Sequence, residues 1–168
     1  MSNPLHPDFL FDFLSDVTPT RLRELGISAL VIDLDNTLVP PHTARPTEEA
    51  LAWLRTQEEA GIRVYLVSNN TEERVNAFCE GTTLPHIHRG AKPLPFGIIK
   101  AMNAMGASRK TCALLGDQIL TDVLAARFAG IRMLMVKPMV METGTFFKMK
   151  RAFERFVMRS YRNGGISK

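Results

Sequence analysis

The sequence predicts an α/β chain, a three-layer sandwich built on a doubly wound parallel sheet. Three observations predict it. Four short apolar runs, "ALVIDL" (29–34), "RVYLVS" (63–68), "CALLG" (112–116) and "IRMLMV" (131–136), are continuous rather than alternating, as in strands covered on both faces. Stretches of helical period separate the runs. Polar residues then gather where the first three runs end: Asp33 and Asp35, Ser68 and Asn69, Asp117 and Asp122.

Each element has its own signal. "TPTRLRELG" reads as a short helix, with Thr18 as cap and Pro19 in its first turn. The first strand follows. A helix over 47–60 opens with Thr47, Glu48 and Glu49, residues that suit a helix N-terminus. After the second strand, Asn70 is the N-cap candidate for a helix over 71–80. Pro95 introduces a helix over about 95–105, and a last core helix over 119–129 is closed by Gly130. No internal repeat, low-complexity tract or linker interrupts the pattern, so one domain over 1–168 is expected.

At 168 residues the chain can bury a sizeable core, and 45% hydrophobic with 23% charged is ordinary for a globular protein. Its apolar runs fall far short of the ~18 residues of a membrane-spanning helix. The start, "MSNPLHPDFLFDFL", lacks a basic opening and is interrupted by Asp8 and Asp12, unlike a secretory signal, so a cytoplasmic location is expected. Cys79 and Cys112 have no CxxC spacing and read as reduced, packed thiols. The net charge of +4 resides in the tail. From Thr145 to Lys168 there are seven Lys or Arg and one acid, Glu154, whereas the remaining 144 residues carry 14 basic and 16 acidic groups.

In "VIDLDNTLVP" two carboxylates end an apolar strand, and an uncompensated buried carboxylate costs several kcal/mol or more. Something must meet Asp33 and Asp35. Ligands of doubly wound sheets collect beyond the carboxyl ends of the strands, where "GDQILTD" brings Asp117 and Asp122. Clustered carboxylates are hard oxygen donors of the kind magnesium takes, and magnesium commonly shares its sphere with phosphate oxygens. Ser68, Asn69 and the amides of "SNNT" offer neutral donors to such an anion, while Lys92 in "GAKPLP" offers a compact cation.

Taken in order, "DLDNT", "VSNN", "AKP" and "GDQILTD" resemble the four motifs of the haloacid dehalogenase superfamily of phosphohydrolases. Within it the chain is similar to subfamily IIIA and its small, nearly capless YqeG-like group, which also resembles mitochondrial phosphatidylglycerophosphate phosphatases. The resemblance implies that Asp33 is the nucleophile and Asp35 the acid and base. It implies magnesium held by Asp33, the Asp35 carbonyl and Asp117, with support from Asp122. It further implies that Ser68 receives a phosphoryl oxygen, Lys92 offsets negative charge and Thr37 braces the loop, with Thr37 and Asn69 at the phosphate. Segments 38–46 and 71–91 are too short for a cap domain, so little or no cap is expected over the site.

These features imply a magnesium-dependent phosphate monoesterase acting on a phosphorylated small molecule or a phospholipid head group such as phosphatidylglycerophosphate. The alternatives are a soluble sugar or nucleotide phosphatase and a non-catalytic scaffold of the same fold. A phosphate-receiving signalling domain would place its lysine last, whereas Lys92 precedes "GDQILTD". His86 and His88, at i and i+2 with no third ligand in view, read as an edge or loop pair; His42 and Arg45 either touch substrate or face solvent. The tail reads as a basic amphipathic helix over about 145–162, with Phe146, Met149, Phe153, Phe156 and Val157 at helical spacing. Such a helix either docks on the core or rests on an anionic membrane surface, which would make the protein peripheral at the inner face of the membrane. No known nucleic-acid module is recognisable, so nucleic acid is not expected as a partner.

Overall fold

The computed structural model describes residues 4–140, 152–159 and 161. Its strands are β1 (Phe9–Phe11), β2 (Ala29–Ile32), β3 (Arg63–Val67), β4 (His86–Ile87), β5 (Cys112–Gly116) and β6 (Arg132–Val136). They pair in parallel throughout, in the order β1-β6-β5-β2-β3-β4. The four apolar runs of the sequence form the four central strands, and every residue of β2 and β5 is buried. The edge strands β1 and β4 add to the sequence expectation. At three and two residues they carry no periodicity, and their pairing with β6 and β3 defines them.

The helices are α1 (Pro19–Glu24), α2 (Glu48–Glu59), α3 (Glu72–Cys79), α4 (Phe96–Ala104) and α5 (Leu124–Ala129). Thr18 and Thr47 cap α1 and α2 by accepting Arg21 N and Ala50 N, and Gly130 ends α5 in the left-handed conformation at φ 70°. Two expectations are corrected. The cap of α3 is Thr71 rather than Asn70, and the single helix expected over 119–129 begins as a π-helical turn, Ile119–Val123, before α5.

Two cores flank the sheet. On one face Leu22, Trp53, Val75 and Phe78 pack against β2, β3 and β6; on the other Ile98, Ala101, Ala125 and Ala129 do so. The sheet is therefore a three-layer sandwich of the doubly wound kind. Its winding reverses between β2 and β5, which opens a crevice at their carboxyl ends. Residues 33–47 join β2 to α2 and 68–71 join β3 to α3, so neither connection holds a cap domain over that crevice.

The expected tail helix is described in part: residues 152–159 are helical, whereas Phe146, Lys148, Met149, Lys150, Arg151 and Arg162 lie outside the described residues. The described turns dock. Val157 is buried beside α4 and α5, and Glu154, also buried, accepts Ile119 N at 3.3 Å. His6 Nε2 lies 3.2 Å from the Val157 carbonyl. Phe153 and Phe156 remain exposed, so Val157 rather than the phenylalanines meets the core.

Candidate active site

The β2 strand ends at Ile32, and the next residue begins the site. Asp33 stays tied to the sheet because its amide donates to the Leu115 carbonyl of β5 at 2.9 Å. The chain then turns through Asn36, at φ 62°, a conformation asparagine tolerates better than most residues. Asn36 Oδ1 accepts Val140 N at 2.9 Å, which fastens this loop to the chain leaving β6.

From β5 come Asp117 and Asp122. Both are fully buried, and one carboxylate oxygen each from Asp33, Asp117 and Asp122 lie within 4.8 Å of one another. The π-helical turn sets Asp122 back over the strand end, where Gln118 N donates to its Oδ2 at 3.1 Å. Gly116 makes the room: a Cβ there would come within 2.5 Å of the Asp122 carboxylate, closer than real contacts allow.

Lys92 arrives from the opposite side of the sheet's reversal. Its loop is laced to the end of β3, with Arg89 N donating to Asn70 O at 2.9 Å and Gly90 N to Ser68 O at 2.8 Å. Asn69 completes the lacing, since its side-chain amide accepts Lys92 N and donates to Lys92 O, both at 2.8 Å. Gly90 allows this close approach, because a Cβ would meet Val67 Cγ1 at 2.6 Å. So aimed, Lys92 Nζ reaches Asp33 Oδ1 at 2.5 Å and Asp122 Oδ1 at 2.6 Å.

Electrostatics follow from that geometry. Burial pushes the Asp33 carboxyl up to about 6, with Lys92 pulling it down and Asp122 pushing it further up. For Lys92 burial works against the charge, but Asp122 and Asp33 outweigh it and hold the ammonium well above its ordinary value. Three carboxylates against one ammonium leave an excess of two negative charges in a nearly dry site. Oxygen donors with that excess fit a hard divalent cation.

Asp35 occupies different surroundings. It does not join the cluster of Asp33, Asp117 and Asp122; Arg74 Nη2 donates to its Oδ1 at 2.8 Å and Asn70 Nδ2 donates to its Oδ2. Ser68 is buried, and its Oγ accepts Asn70 N at 3.2 Å. Thr37 is buried as well, and its hydroxyl has no hydrogen-bond partner among the described residues. Thus the fold gathers Asp33, Lys92, Asp117 and Asp122, with Asn69 bonded to the Lys92 backbone. Of the remaining candidates, His86, His88 and Arg45 have partners of their own. His86 bonds Leu84 O and Asn76 Oδ1, His88 lies 4.0 Å from Glu72, and Arg45 lies 3.7 Å from Glu80 with both side chains exposed.

Arg74 is the residue that sequence reading passed over. Its signal was its place in the first turn of a helix that starts at the same sheet edge as the acids.

Comparison with known proteins agrees with this arrangement. Residues 41–130 match the haloacid dehalogenase-like hydrolase family. The chain is 32% identical over 159 residues to "Probable phosphatase YqeG" of Bacillus subtilis (strain 168), covering 95% of this chain and 92% of that protein. Among solved structures it resembles the cobalt-bound deoxy-D-mannose-octulosonate 8-phosphate phosphatase YrbI of Haemophilus influenzae. The TM-score is 0.53 at 15% identity, covering 74% of this chain and 75% of that one. An uncharacterized protein from Listeria monocytogenes serotype 4b matches with a TM-score of 0.50 at 17% identity, covering 64% and 76%. With motif order, fold and buried acids in accord, the chain belongs to the haloacid dehalogenase-like hydrolase family and is a phosphatase.

Proposed function

We propose that the chain is a magnesium-dependent phosphate monoester hydrolase working through an aspartyl phosphate on Asp33, with phosphatidylglycerophosphate or a similar phospholipid as substrate. The observation that carries the proposal is the position of Lys92, whose buried ammonium bridges Asp33 and Asp122 beside Asp117. A carboxylate approaching a phosphate is repelled by roughly 4 kcal/mol per pair of unit charges at 4 Å and an effective dielectric of 20. Lys92 offsets part of that repulsion, and Asp33, Asp117, Asp122 and the Asp35 carbonyl would hold the metal. Magnesium, when bound, neutralises the remaining negative charge and polarises a phosphoryl oxygen.

In the first displacement an Asp33 oxygen bonds phosphorus as the ester P–O bond breaks, and Asp35 gives its proton to the departing oxygen. In the second, Asp35 takes a proton from water as the water oxygen bonds phosphorus and the Asp33–phosphorus bond breaks. Ser68 receives a phosphoryl oxygen. Thr37, with its unspent hydroxyl, and Asn69, by fixing the Lys92 backbone, support the same group.

The lipid reading is supported by exposed apolar and basic side chains. Leu94 and Phe96, which follow Lys92, are exposed, and Leu120, Val140, Phe153 and Phe156 are exposed as well. The exposed Arg155 and Arg159 lie on the terminal helix, placing basic and apolar groups together as an anionic lipid surface requires. No described helix is long and apolar enough to cross a membrane, so attachment would be peripheral.

The test is phosphate release from phosphatidylglycerophosphate, glycerol phosphate, a sugar phosphate and a nucleotide, with magnesium and with chelator. Release is expected to need the metal, to favour the lipid and to vanish in Asp33→Asn. Full activity in that variant would reject the nucleophile, while preference for the sugar or nucleotide, together with failure to sediment with anionic vesicles, would move the substrate to soluble esters.

A further inference from the structure

Asp35 stands two residues from Asp33, yet everything that holds its side chain comes from the other side of the crevice. Arg74 donates to Oδ1 at 2.8 Å from the first turn of α3, and Asn70 donates to Oδ2 from the loop ending β3. These donors are themselves fixed. Arg74 N bonds the Thr71 cap, and Asn70 N bonds Ser68 Oγ. A carboxyl group that accepts one donor on each oxygen from a single loop–helix junction has its plane set by that junction rather than by its own rotamers, and each oxygen keeps a second lone pair on which the transferable proton can sit.

We propose that Arg74, assisted by Asn70, is a positioning residue that holds Asp35 at the leaving oxygen. The inference rests on the reading of Asp35 as the group that protonates that oxygen. A general acid works only within hydrogen-bond reach of its target, and an untethered Asp35, about a fifth exposed even when held, would turn into solvent. The guanidinium suits the task because its planar fork fixes orientation as well as charge. It touches no reacting atom in this role. Its contribution is to keep the acid where the proton must be delivered.

The consequence depends on the leaving group, which separates positioning from mere folding. An alkoxide must be protonated as the ester breaks, whereas dinitrophenolate departs unaided. The experiment uses the full chain with magnesium and compares kcat/KM for glycerol phosphate and dinitrophenyl phosphate in wild type, Arg74→Ala and Arg74→Lys. In Arg74→Ala the value for glycerol phosphate is expected to fall about 10- to 100-fold, part of the roughly 10²- to 10⁴-fold that a general acid contributes because Asp35 itself remains, while the value for dinitrophenyl phosphate changes by less than about threefold. Arg74→Lys, which keeps a cation without the fork, should recover part of the loss. A burst of dinitrophenolate should also appear in Arg74→Ala, because the water step that Asp35 assists becomes limiting. Equal losses on both esters would reduce Arg74 to a structural role and overturn the proposal, as would no loss on either. A wild-type chain that hydrolyses neither ester would instead refute the phosphatase mechanism beneath it, and this inference with it.

Discussion

Asp33 and Asp35 are separated by one residue, yet they occupy opposite physical regimes. Asp33 is nearly dry, bonded to a fully enclosed ammonium and crowded by two further carboxylates. Asp35 is half-buried and answers to a guanidinium and an amide at the wetter rim. The difference matches the roles proposed for each. A nucleophile gains from a rigid, desolvated setting prepared before substrate arrives, whereas an acid that later becomes a base must stay in touch with the water it activates.

The sharpest way to break the comparison is to remove the cation from the dry side. Lys92→Met should lower turnover about 10²- to 10³-fold, the size of a lost electrostatic contribution at a buried site. It should also destabilise the metal-free protein by about 3–5 kcal/mol, the usual consequence of stranding buried charges. Thermal melting with and without magnesium checks the second part. The metal is expected to restore much of the lost Tm, because it replaces the missing positive charge and binds only the folded chain.

Proton linkage probes the same side more gently. Burial raises the Asp33 carboxyl from 3.8 to about 6, so between those pH values the folded chain retains a proton that the unfolded chain releases. The sign is then fixed: without metal, the Asp33 contribution to stability falls as pH rises through that window. Subtracting the pH–stability profile of Asp33→Asn from that of wild type isolates it. Magnesium should flatten the difference, and magnesium affinity measured by calorimetry should weaken as pH drops below about 6. A difference profile that rises with pH in the metal-free protein would contradict the burial argument.

Gly116→Ala tests whether the dry cluster tolerates displacement. Asp122 cannot swing aside freely, being bonded to Lys92 and to Gln118 N, so the added methyl should cost about 1–3 kcal/mol and weaken metal binding together with stability. Chemical denaturation and calorimetry on the same variant would reveal whether the two losses accompany one another. A loss of stability with unchanged metal affinity would detach Asp122 from the metal site.

The dry side was also the legible one. Its members lie where continuous apolar runs end, so finding the strands located Asp33 and Asp117, and motif order supplied Lys92 and Asp122. What the sequence concealed are contacts between residues far apart in the chain. Asn69 is separated by 23 residues from the Lys92 backbone it clamps, and Arg74 by 39 from Asp35; the parallel pairing of β3 with β4 brings the first pair to one edge and that of β2 with β3 the second. The same reason hid β1 and β4, which are too short for periodicity and exist through their register. The π-helical start of 119–129 was hidden because its placement reflects Asp122 seated over Gly116, a tertiary fit with no local pattern.

The wet side should yield the smallest effect on stability, and that outcome sharpens the contrast most. Arg74 and Asp35 retain 18% and 22% of their side-chain exposure, so water screens their attraction and already solvates part of each charge. Arg74→Ala should therefore shift folding stability by no more than about 1 kcal/mol, and by less as salt is raised. Urea titrations at low and high ionic strength measure this directly. A loss as large as that of Lys92→Met would mean that Arg74 is part of the buried framework. A small, salt-sensitive loss would leave the fold intact while the acid loses its anchor, so that any leaving-group-dependent fall in turnover belongs to Asp35 alone.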